Sequence, residues 1–253
     1  MGDPDDVVET WFIKGSPMGI RKSPEDRGIF PLYSDVEASA DPSALLTEEA
    51  GTRSYAEYDK EALAEVASMV QKRWIREFPS KMKAKKFARG RLVISKLIVI
   101  VKDKLKTGAD GKVFKKRKRR LILNLKRSGV TAASVKTERP QLPRILDAVF
   151  ATLKIMKNDR GKKVRQILLD FRNAFFQFPV DPDEQRFFAT RLKNNIFIWT
   201  RCVQGSRGAP LVCGRALALA MRLCFGLVDG DRASSSTYVD DPLSTYGGTD
   251  EEQ

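Results

Sequence analysis

The chain has 253 residues, which is long enough to bury a hydrophobic core without help from disulfides or a structural metal. Lys and Arg number 46 against 32 Asp and Glu, so the net charge of +14 favours a polyanionic partner, nucleic acid above all. Because the chain has no histidine, Ser-His-Asp catalysis, Cys-His catalysis and histidine-ligated zinc are excluded. Carboxylates must carry any acid-base or metal chemistry.

The cysteines and the absence of long apolar runs indicate the cellular compartment. Cys202, Cys213 and Cys224 are an odd number and far apart, so they are expected to act as small hydrophobic residues in a reducing compartment. No apolar run approaches the ~18 residues of a membrane span, and acidic residues such as Asp3 and Asp5 stand where a signal peptide carries Lys or Arg. We therefore expect an intracellular protein of the nucleus or cytoplasm, neither secreted nor membrane-spanning.

The first part of the chain is acidic and then helical. Residues 1–50 hold 11 acidic and 4 basic residues with five prolines and show no regular period, which predicts a largely irregular leader over residues 1–54. Four apolar residues could pack it onto the body: Trp11, Phe12, Ile29 and Phe30. From Tyr55 to Phe78 the apolar residues fall at helical spacing, which predicts one amphipathic helix ending before Pro79.

The next segment carries the strongest charge asymmetry. Residues 81–127 contain 19 Lys or Arg and only 2 Asp. Two β-rich runs, Leu92–Val101 and Lys118–Leu125, joined through Thr107–Gly111, predict an antiparallel hairpin with a basic face. The run Lys115–Arg120 is typical of a solvated charge run, a nuclear-import signal or a phosphate contact, and its place on a hairpin favours phosphate contact.

The second half of the chain alternates helices and hairpins. The predicted elements are a helix over Leu142–Met156, a strand over Val164–Leu169, a hairpin of Arg186–Arg191 and Asn195–Cys202 around Lys193-Asn194, a helix over Ala209–Val228, and a hairpin of Thr237–Val239 and Leu243–Tyr246. This order predicts an α+β fold, an antiparallel sheet with helices packed on one face. We divide the chain into the leader (1–54), a helix plus basic region (55–160) and a region with the candidate site (161–253).

Three aspartates are candidates for chemistry. Asp170 ends a predicted strand, and Asp240 and Asp241 lie where another strand turns, so the three carboxylates converge if those strands are neighbours. Carboxylates without histidine are ligands for hard divalent ions, and a pair of such ions suits phosphoryl transfer. Polar residues are also common at strand ends, and spacing alone favours that ordinary interpretation over a metal site.

Three motifs around these aspartates resemble the palm domain of reverse transcriptases. They are Asp170–Phe176, with the sequence Asp-Phe-Arg-Asn-Ala-Phe-Phe, Gln204–Pro210, with Gln-Gly-Ser-Arg-Gly-Ala-Pro, and Tyr238–Asp241, with Tyr-Val-Asp-Asp. They occur in the family's order, with Gln204 34 residues after Asp170 and Asp240 36 residues after Gln204. Upstream, Arg119–Lys126 resembles the family's fingers strand. The resemblance covers roughly residues 80–246 and is nearest to retrotransposons of the long-terminal-repeat type.

The resemblance implies a role for each matching residue. Asp170, Asp240 and Asp241 would bind two Mg²⁺ ions, or Mn²⁺, with Asp241 as the less direct ligand. Arg120 would bind the triphosphate of the nucleotide, with Lys116 and Lys118 as looser candidates. Phe175 would pack under the sugar. Gln204 and Gly205 would lie in the loop that lines the nucleotide pocket. Phe175 as an ordinary core aromatic is the alternative.

The resemblance further implies template-directed DNA synthesis in a right-hand polymerase of fingers and partial palm. The partners would be an RNA or DNA template with its primer, deoxynucleoside triphosphates and other parts of a retroelement polyprotein, with no membrane. The alternative is a catalytically inactive remnant that binds nucleic acid. An RNA-dependent RNA polymerase is disfavoured by Phe175 and by the Tyr-x-Asp-Asp form.

Three features depart from the family pattern. Pro242 has no N–H to donate, so its strand is expected to be an edge strand or irregular. Asn124 stands where the family often has Asp. The sequence stops about a dozen residues after the third motif, so we expect a fragment without thumb, ribonuclease H or integrase regions.

Overall fold

The computed structural model describes residues 3–34, 40–46, 60–108, 111–158, 163–227, 232–238 and 240–248. The helices are α1 (Val7–Lys14), α2 (Lys60–Gln71), α3 (Lys81–Phe87), α4 (Val130–Ala133), α5 (Ile145–Asn158), α6 (Ala174–Gln177) and α7 (Ala209–Phe225), with 3₁₀ turns at Pro42–Ala44 and Gln185–Phe187. The strands are β1 (Ile75–Phe78), β2 (Leu97–Thr107), β3 (Val113–Leu123), β4 (Lys163–Leu168), β5 (Ala189–Leu192), β6 (Asn195–Trp199), β7 (Ala233–Tyr238) and β8 (Asp241–Gly248).

The strands of the described part form antiparallel sheets in the orders β1-β6-β5, β2-β3 and β4-β8-β7. The predicted combination of helices with antiparallel sheet is confirmed. The hairpin β5–β6 turns where Lys193 and Asn194 predicted it, with Lys193 at φ +55°. No helix in the described ranges has both the length and the apolar character needed to cross a bilayer.

The main core joins the N-terminal segment to the strands and to α7. Trp11 of α1, Trp199 of β6 and Leu217 of α7 are all buried in it. A smaller core lies under α3, where Ala84 packs with Ile196. The fold therefore draws its interior from residues that are far apart in the sequence.

The predicted helix over Tyr55–Phe78 is wrong in its last part. α2 ends at Gln71, and Ile75–Phe78 form β1, which pairs with β6 from Ile75↔Trp199 onward. Arg73 takes a left-handed φ of +60°, and this conformation turns the chain out of the helix into the strand. Residues 55–59 lie outside the described part.

The predicted leader contains a helix that its composition did not indicate. Over α1 the side chains of Val8 and Trp11 are buried, and Phe12 meets Phe178 edge to face with ring centroids 5.7 Å apart. Met18, further along, is fully buried. The described part of the leader is thus attached to the body, and the division at residue 54 stays a prediction.

Helix α5 presents its large apolar side chains to solvent. Helical spacing puts Ile145, Leu146, Val149 and Leu153 on one face, and all four are exposed, as are Leu142 and Met156. The buried residue of the helix is Ile155. The face toward the sheet includes smaller residues, because Gln166 of β4 donates to Thr152 Oγ1 at 3.0 Å.

Candidate active site

Strand pairing places the three candidate aspartates at one end of a sheet. β4 pairs with β8 up to Leu168↔Leu243, and the ladder continues beyond it, where Leu169 N donates to Pro242 O and Phe171 N donates to Asp240 O, each at 3.0 Å. Asp170 therefore comes opposite the first residue of β8, Asp241. Since Tyr238 of β7 also pairs with Asp241, Asp240 lies at the tip of the β7–β8 hairpin.

The electrostatics of Asp240 reflect this arrangement. Burial raises the pKa of the Asp240 carboxyl, and the negative charges of Asp241 and Asp170 raise it further. A hydrogen bond from its own backbone and the positive charge of Arg120 lower the same pKa. Asp240 is half-buried whereas Asp170 is exposed. The site thus has an excess of negative charge, and Arg120 of the basic hairpin is near enough to lower the pKa of Asp240.

The expectation for the strand that holds Pro242 is wrong. β8 is the central strand of its sheet, not an edge strand. Pro242 is its second residue and opposes Thr237 of β7. Its carbonyl keeps the bond to Leu169 N, while its nitrogen has no hydrogen to donate. One missing ladder bond at a strand end is tolerated because the rest of β8 pairs on both sides.

The donor chemistry of the site fits a hard divalent cation. Within the described ranges no three Asp, Glu or Cys side chains are already arranged as a complete ligand set. Mg²⁺ does not need one, because it usually takes one or two carboxylates and completes its shell with water and substrate phosphates. The like charges that raise the pKa of Asp240 are what a cation would relieve, so Asp170, Asp240 and Asp241 are the residues that would hold it.

The loop at Gln204 and Gly205 lies against the basic hairpin. Gly205 has a left-handed φ of +91°, and a Cβ built on it would stand 3.3 Å from Ile122 Cγ2 of β3. Ile122 is two residues from Arg120, and alternation along a strand puts both side chains on one face. The structure therefore brings Arg120, the Gln204–Gly205 loop and the aspartates into one region. Ile122 is a contact that the sequence analysis missed, although strand alternation from Arg120 could have found it.

The predicted antiparallel basic hairpin is confirmed, but its strand bounds are wrong: β2 begins at Leu97 and not at Leu92, and β3 runs from Val113 to Leu123 and not from Lys118 to Leu125. Its eleven-residue strands pair from Leu97↔Leu123 to Thr107↔Val113. The register sets Lys102 opposite Lys118 and Lys104 opposite Lys116, and like charges opposite each other are unfavourable unless an anion neutralises them. The side chains of Lys116 and Lys118 lie outside the described part of the structure.

Phe175 lies on the one-turn helix α6, where it is half-buried against the main core. Because this segment is helical, Phe175 and Phe176 do not point to opposite faces as they would on a strand. Phe176 stacks on Trp74 with ring centroids 4.6 Å apart and an angle of 8° between the planes. Phe178 is buried. Phe176 and Phe178 are thus structural, and the role of Phe175 at the sugar stays a prediction.

Two of the cysteines behave as small hydrophobic residues. Burial raises the pKa of Cys202 to about 12, and burial together with the charges of Cys202 and Asp240 raises that of Cys213 to about 12. Neither is a thiolate near neutral pH. Cys224 is exposed. Asn124 accepts a hydrogen bond from Arg127 N at 3.1 Å, which makes it a turn residue after β3.

A large cavity of about 750 Å³ lies beside this region, but its walls include none of the three candidate residues Asp170, Asp240 and Asp241. Its walls come from α7, β7 and the loop before α5, including Phe225, Thr237 and Leu142. Asp240 lies at the tip of the β7–β8 hairpin, outside this cavity.

Comparison with known proteins gives matches among solved structures alone. No protein-family model matches the chain, and no curated protein matches it. The native protease-reverse transcriptase of prototype foamy virus gives a TM-score of 0.42 at 17% identity, over 74% of this chain and 19% of that chain. Its selenomethionine-labelled CSH mutant gives 0.45 at 15% identity, over 88% and 22%. The foamy viral protease-reverse transcriptase dRH in complex with double-stranded DNA gives 0.44 at 17% identity, over 82% and 28%. The chain thus spans between about a fifth and just over a quarter of the length of these proteins.

Proposed function

We propose that the chain carries the catalytic region of a template-directed DNA polymerase of the reverse transcriptase type, from a retrotransposon of the long-terminal-repeat type. One observation carries the proposal. The ladder sets Asp170 opposite Asp241 beside Asp240, and the positive charge of Arg120 on the basic hairpin acts on Asp240. The substrates are an RNA or DNA template with its primer and deoxynucleoside triphosphates.

Each residue has a task set by its position and chemistry. Asp170, Asp240 and Asp241 would hold two Mg²⁺ ions, which would supply activation of the primer 3′-hydroxyl and charge neutralisation of the leaving pyrophosphate. Arg120 binds the triphosphate, and Gln204 and Gly205 line the pocket beside it. Phosphoryl transfer depends on positioning and charge neutralisation, so the absence of histidine is no obstacle.

Primer extension in Mg²⁺ tests the proposal, with RNA and DNA templates compared. Asp170→Asn and Asp240→Asn should each abolish extension, and the double variant should be no worse, because the parts of one catalytic unit are non-additive. Asp103→Asn is the matched control, since Asp103 lies on the basic hairpin and pairs with Arg117 at 3.5 Å. Extension that survives in both site variants contradicts the proposal.

The second candidate function is binding of nucleic acid without catalysis, in a remnant of such a polymerase. It is favoured by the basic hairpin, whose segment 81–127 has 19 basic and 2 acidic residues. Both candidate functions include binding to the nucleic-acid backbone, and they differ in whether the aspartates catalyse nucleotide transfer. Salt-dependent nucleic-acid binding without extension by the wild-type chain, alone or joined to other parts of a retroelement polyprotein, selects this second function.

A further inference from the structure

The pocket loop Gln204–Gly208 lies between the basic hairpin and the N-terminal segment. On one side Gly205 faces Ile122 of β3. On the other side, a Cβ built on Gly208 would stand 2.6 Å from the carbonyl oxygen of Met18. That distance is too short for any residue larger than glycine, so the backbone at Met18 directly supports the loop where α7 begins.

Met18 also fills the space behind the start of the loop. Its side chain is fully buried, and its sulfur lies 3.7 Å from Sγ of Cys202, which is buried as well. Cys202 is two residues before Gln204. The hydroxyl of Ser16 lies 3.6 Å from the same Sγ. Residues 16–18 thus contact the chain two residues before the loop and the last residue of the loop.

A buried carboxylate fixes the segment in place. Glu184 has no exposed surface, and it accepts the backbone N–H of Met18, together with those of Ile20 at 2.9 Å, Arg21 at 2.5 Å and Lys22 at 3.0 Å. Hydrogen bonds to an ionised acceptor are about twice as strong as neutral ones. Four of them on one carboxylate determine the path of the backbone around Met18.

Further bonds hold the two ends of this segment. Ser16 N donates to Pro179 O at 2.7 Å, and Asp181 N donates to Ser16 O at 2.9 Å. Lys22 Nζ pairs with Asp181 at 2.8 Å. Residues 16–22 are therefore attached at both ends and in the middle to the chain that precedes β5.

We propose that residues 16–22 are a positioning element of the nucleotide pocket. Met18 sets how far Gln204 and Gly205 project toward β3, and so their distance from Arg120, while Glu184 holds Met18. Residues 16–22 therefore belong to the working unit, although they lie within the predicted leader. The inference deepens the proposed function and rests on it for the identity of the ligand, a deoxynucleoside triphosphate.

Steady-state kinetics on the full chain give the first test. Met18→Ala keeps the backbone contact with Gly208 and removes the side chain that packs against Cys202 before the loop. The KM for deoxynucleotide should therefore rise on the order of 10-fold with a smaller change in kcat, because a displaced pocket weakens ground-state and transition-state binding alike. Glu184→Ala should act in the same way. Met18→Leu, which keeps the volume, should restore the KM. Asp183→Asn is the matched control, because Asp183 is half-exposed and meets this segment through a surface pair with Lys22 Nζ at 3.7 Å, not through its backbone.

Hydrogen exchange gives a second readout that needs no catalysis. In Met18→Ala the amides of residues 203–208 should exchange roughly 10-fold faster, while those of β1 keep their rate. If protection falls throughout the chain, Met18→Ala has destabilised the whole fold. The same comparison is then made with Met18→Val, which removes less volume.

The two readouts separate the proposals. Unchanged exchange at 203–208 together with an unchanged KM overturns the positioning role. If the wild-type chain shows no polymerisation but the exchange result holds, the proposed function fails and the support of the loop by Met18 stands.

Discussion

Asp240 is the site residue whose ionisation is opposed by burial and by neighbouring charges. Burial and two neighbouring carboxylates raise its pKa above the value of an unfolded chain. The folded protein therefore binds this proton more tightly than the unfolded protein does. Ionisation of Asp240 costs no stability below the unfolded pKa, and the full cost is present once the pH has risen above the folded pKa.

We expect Asp240→Asn to raise the Tm of the metal-free protein at pH 7, because the variant carries no charge to repel Asp241 and Asp170. The gain should disappear as the pH falls through the carboxyl range. Added Mg²⁺ should raise the Tm of the wild type more than that of the variant. Thermal unfolding between roughly pH 3.5 and 8, a range that brackets carboxyl titration, measures all three effects. An equal gain at every pH would mean that the charge is not the cause.

Substitution of Phe175 tests whether its ring excludes nucleotides that carry a 2′-hydroxyl. If its ring packs under the sugar, Phe175→Val should raise the use of ribonucleotides far more than it changes the use of deoxynucleotides, since the rejection of a 2′-hydroxyl is steric. Single-nucleotide incorporation with matched pairs of triphosphates measures this ratio. Phe176→Ala is the control, because Phe176 is half-buried and stacks on Trp74. This change should cost about 3 kcal/mol of stability with selectivity unchanged. If Phe175→Val lowers stability and leaves selectivity alone, Phe175 is a core aromatic.

Among the elements, the basic hairpin should supply most of the affinity for nucleic acid. Replacing Lys115–Arg120 with serine should weaken binding and make the plot of log affinity against log salt shallower, by about 0.9 for each phosphate that is no longer neutralised. Fluorescence anisotropy at several salt concentrations measures the slope. As a control, serine at four lysines of α3, namely Lys81, Lys83, Lys85 and Lys86, removes charge elsewhere and should change the slope less per charge. An unaltered slope in the hairpin variant contradicts the assignment.

Substitutions on the two faces of helix α5 should have opposite effects on stability. Phe150 is 66% exposed and Ile155 is 2% exposed. Phe150→Lys should therefore change the free energy of unfolding by less than about 0.5 kcal/mol and reduce self-association. Ile155→Ala should cost about 2 to 4 kcal/mol. Urea unfolding and light scattering on both variants check the assignment of faces.

The elements also show what local sequence pattern could and could not predict. The hairpins at Lys193 and at Asp240 followed from alternation and turn residues, which act over a few positions. The end of α2 at Gln71 did not, because helical spacing continues into β1 and the competing strand partner lies more than 100 residues later. For α5 the period predicted the helix correctly, but a period cannot tell which face meets the sheet.

At the scale of the molecule, the candidate aspartates could be predicted from motifs, whereas their support could not. No local signal connects Met18 with Glu184, 166 residues away, or identifies Asp5 as a buried partner. Asp5 looks like one of many acidic residues in a polar segment. Its burial depends on Arg215, which points from α7 into a space closed by the N-terminal segment.

Arg215 is the centre of the largest buried ionic cluster among the described residues. It has no exposed surface and donates to both oxygens of Asp5, to Glu138 at 2.8 Å and to the carbonyl of Glu25 at 2.6 Å. Its guanidinium lies 5.0 Å from the ring centroid of Trp11. Removing one partner would leave buried charges uncompensated.

We therefore expect Arg215→Ala to cost about 3 to 5 kcal/mol of stability. Arg222→Ala is the matched control on the same helix, because the pair of Arg222 with Asp3 is partly exposed and should contribute about 1 kcal/mol or less. Chemical denaturation of both variants gives the comparison. Equal destabilisation would show that burial does not distinguish the two pairs.

The same cluster determines the order in which the chain assembles. Asp5 and Arg215 are 210 residues apart, and Asp3 and Arg222 are 219 apart, so the segment that leaves the ribosome early meets its partners late. At 5 to 20 residues per second, roughly 10 to 40 s pass between the synthesis of Asp5 and that of Arg215. Throughout that time the apolar face of α1, with Val8 and Trp11, has no α7 to cover it. We therefore expect α1 to be a site of aggregation or chaperone capture in newly made chains, and folding to be slow because residues so distant in sequence must meet.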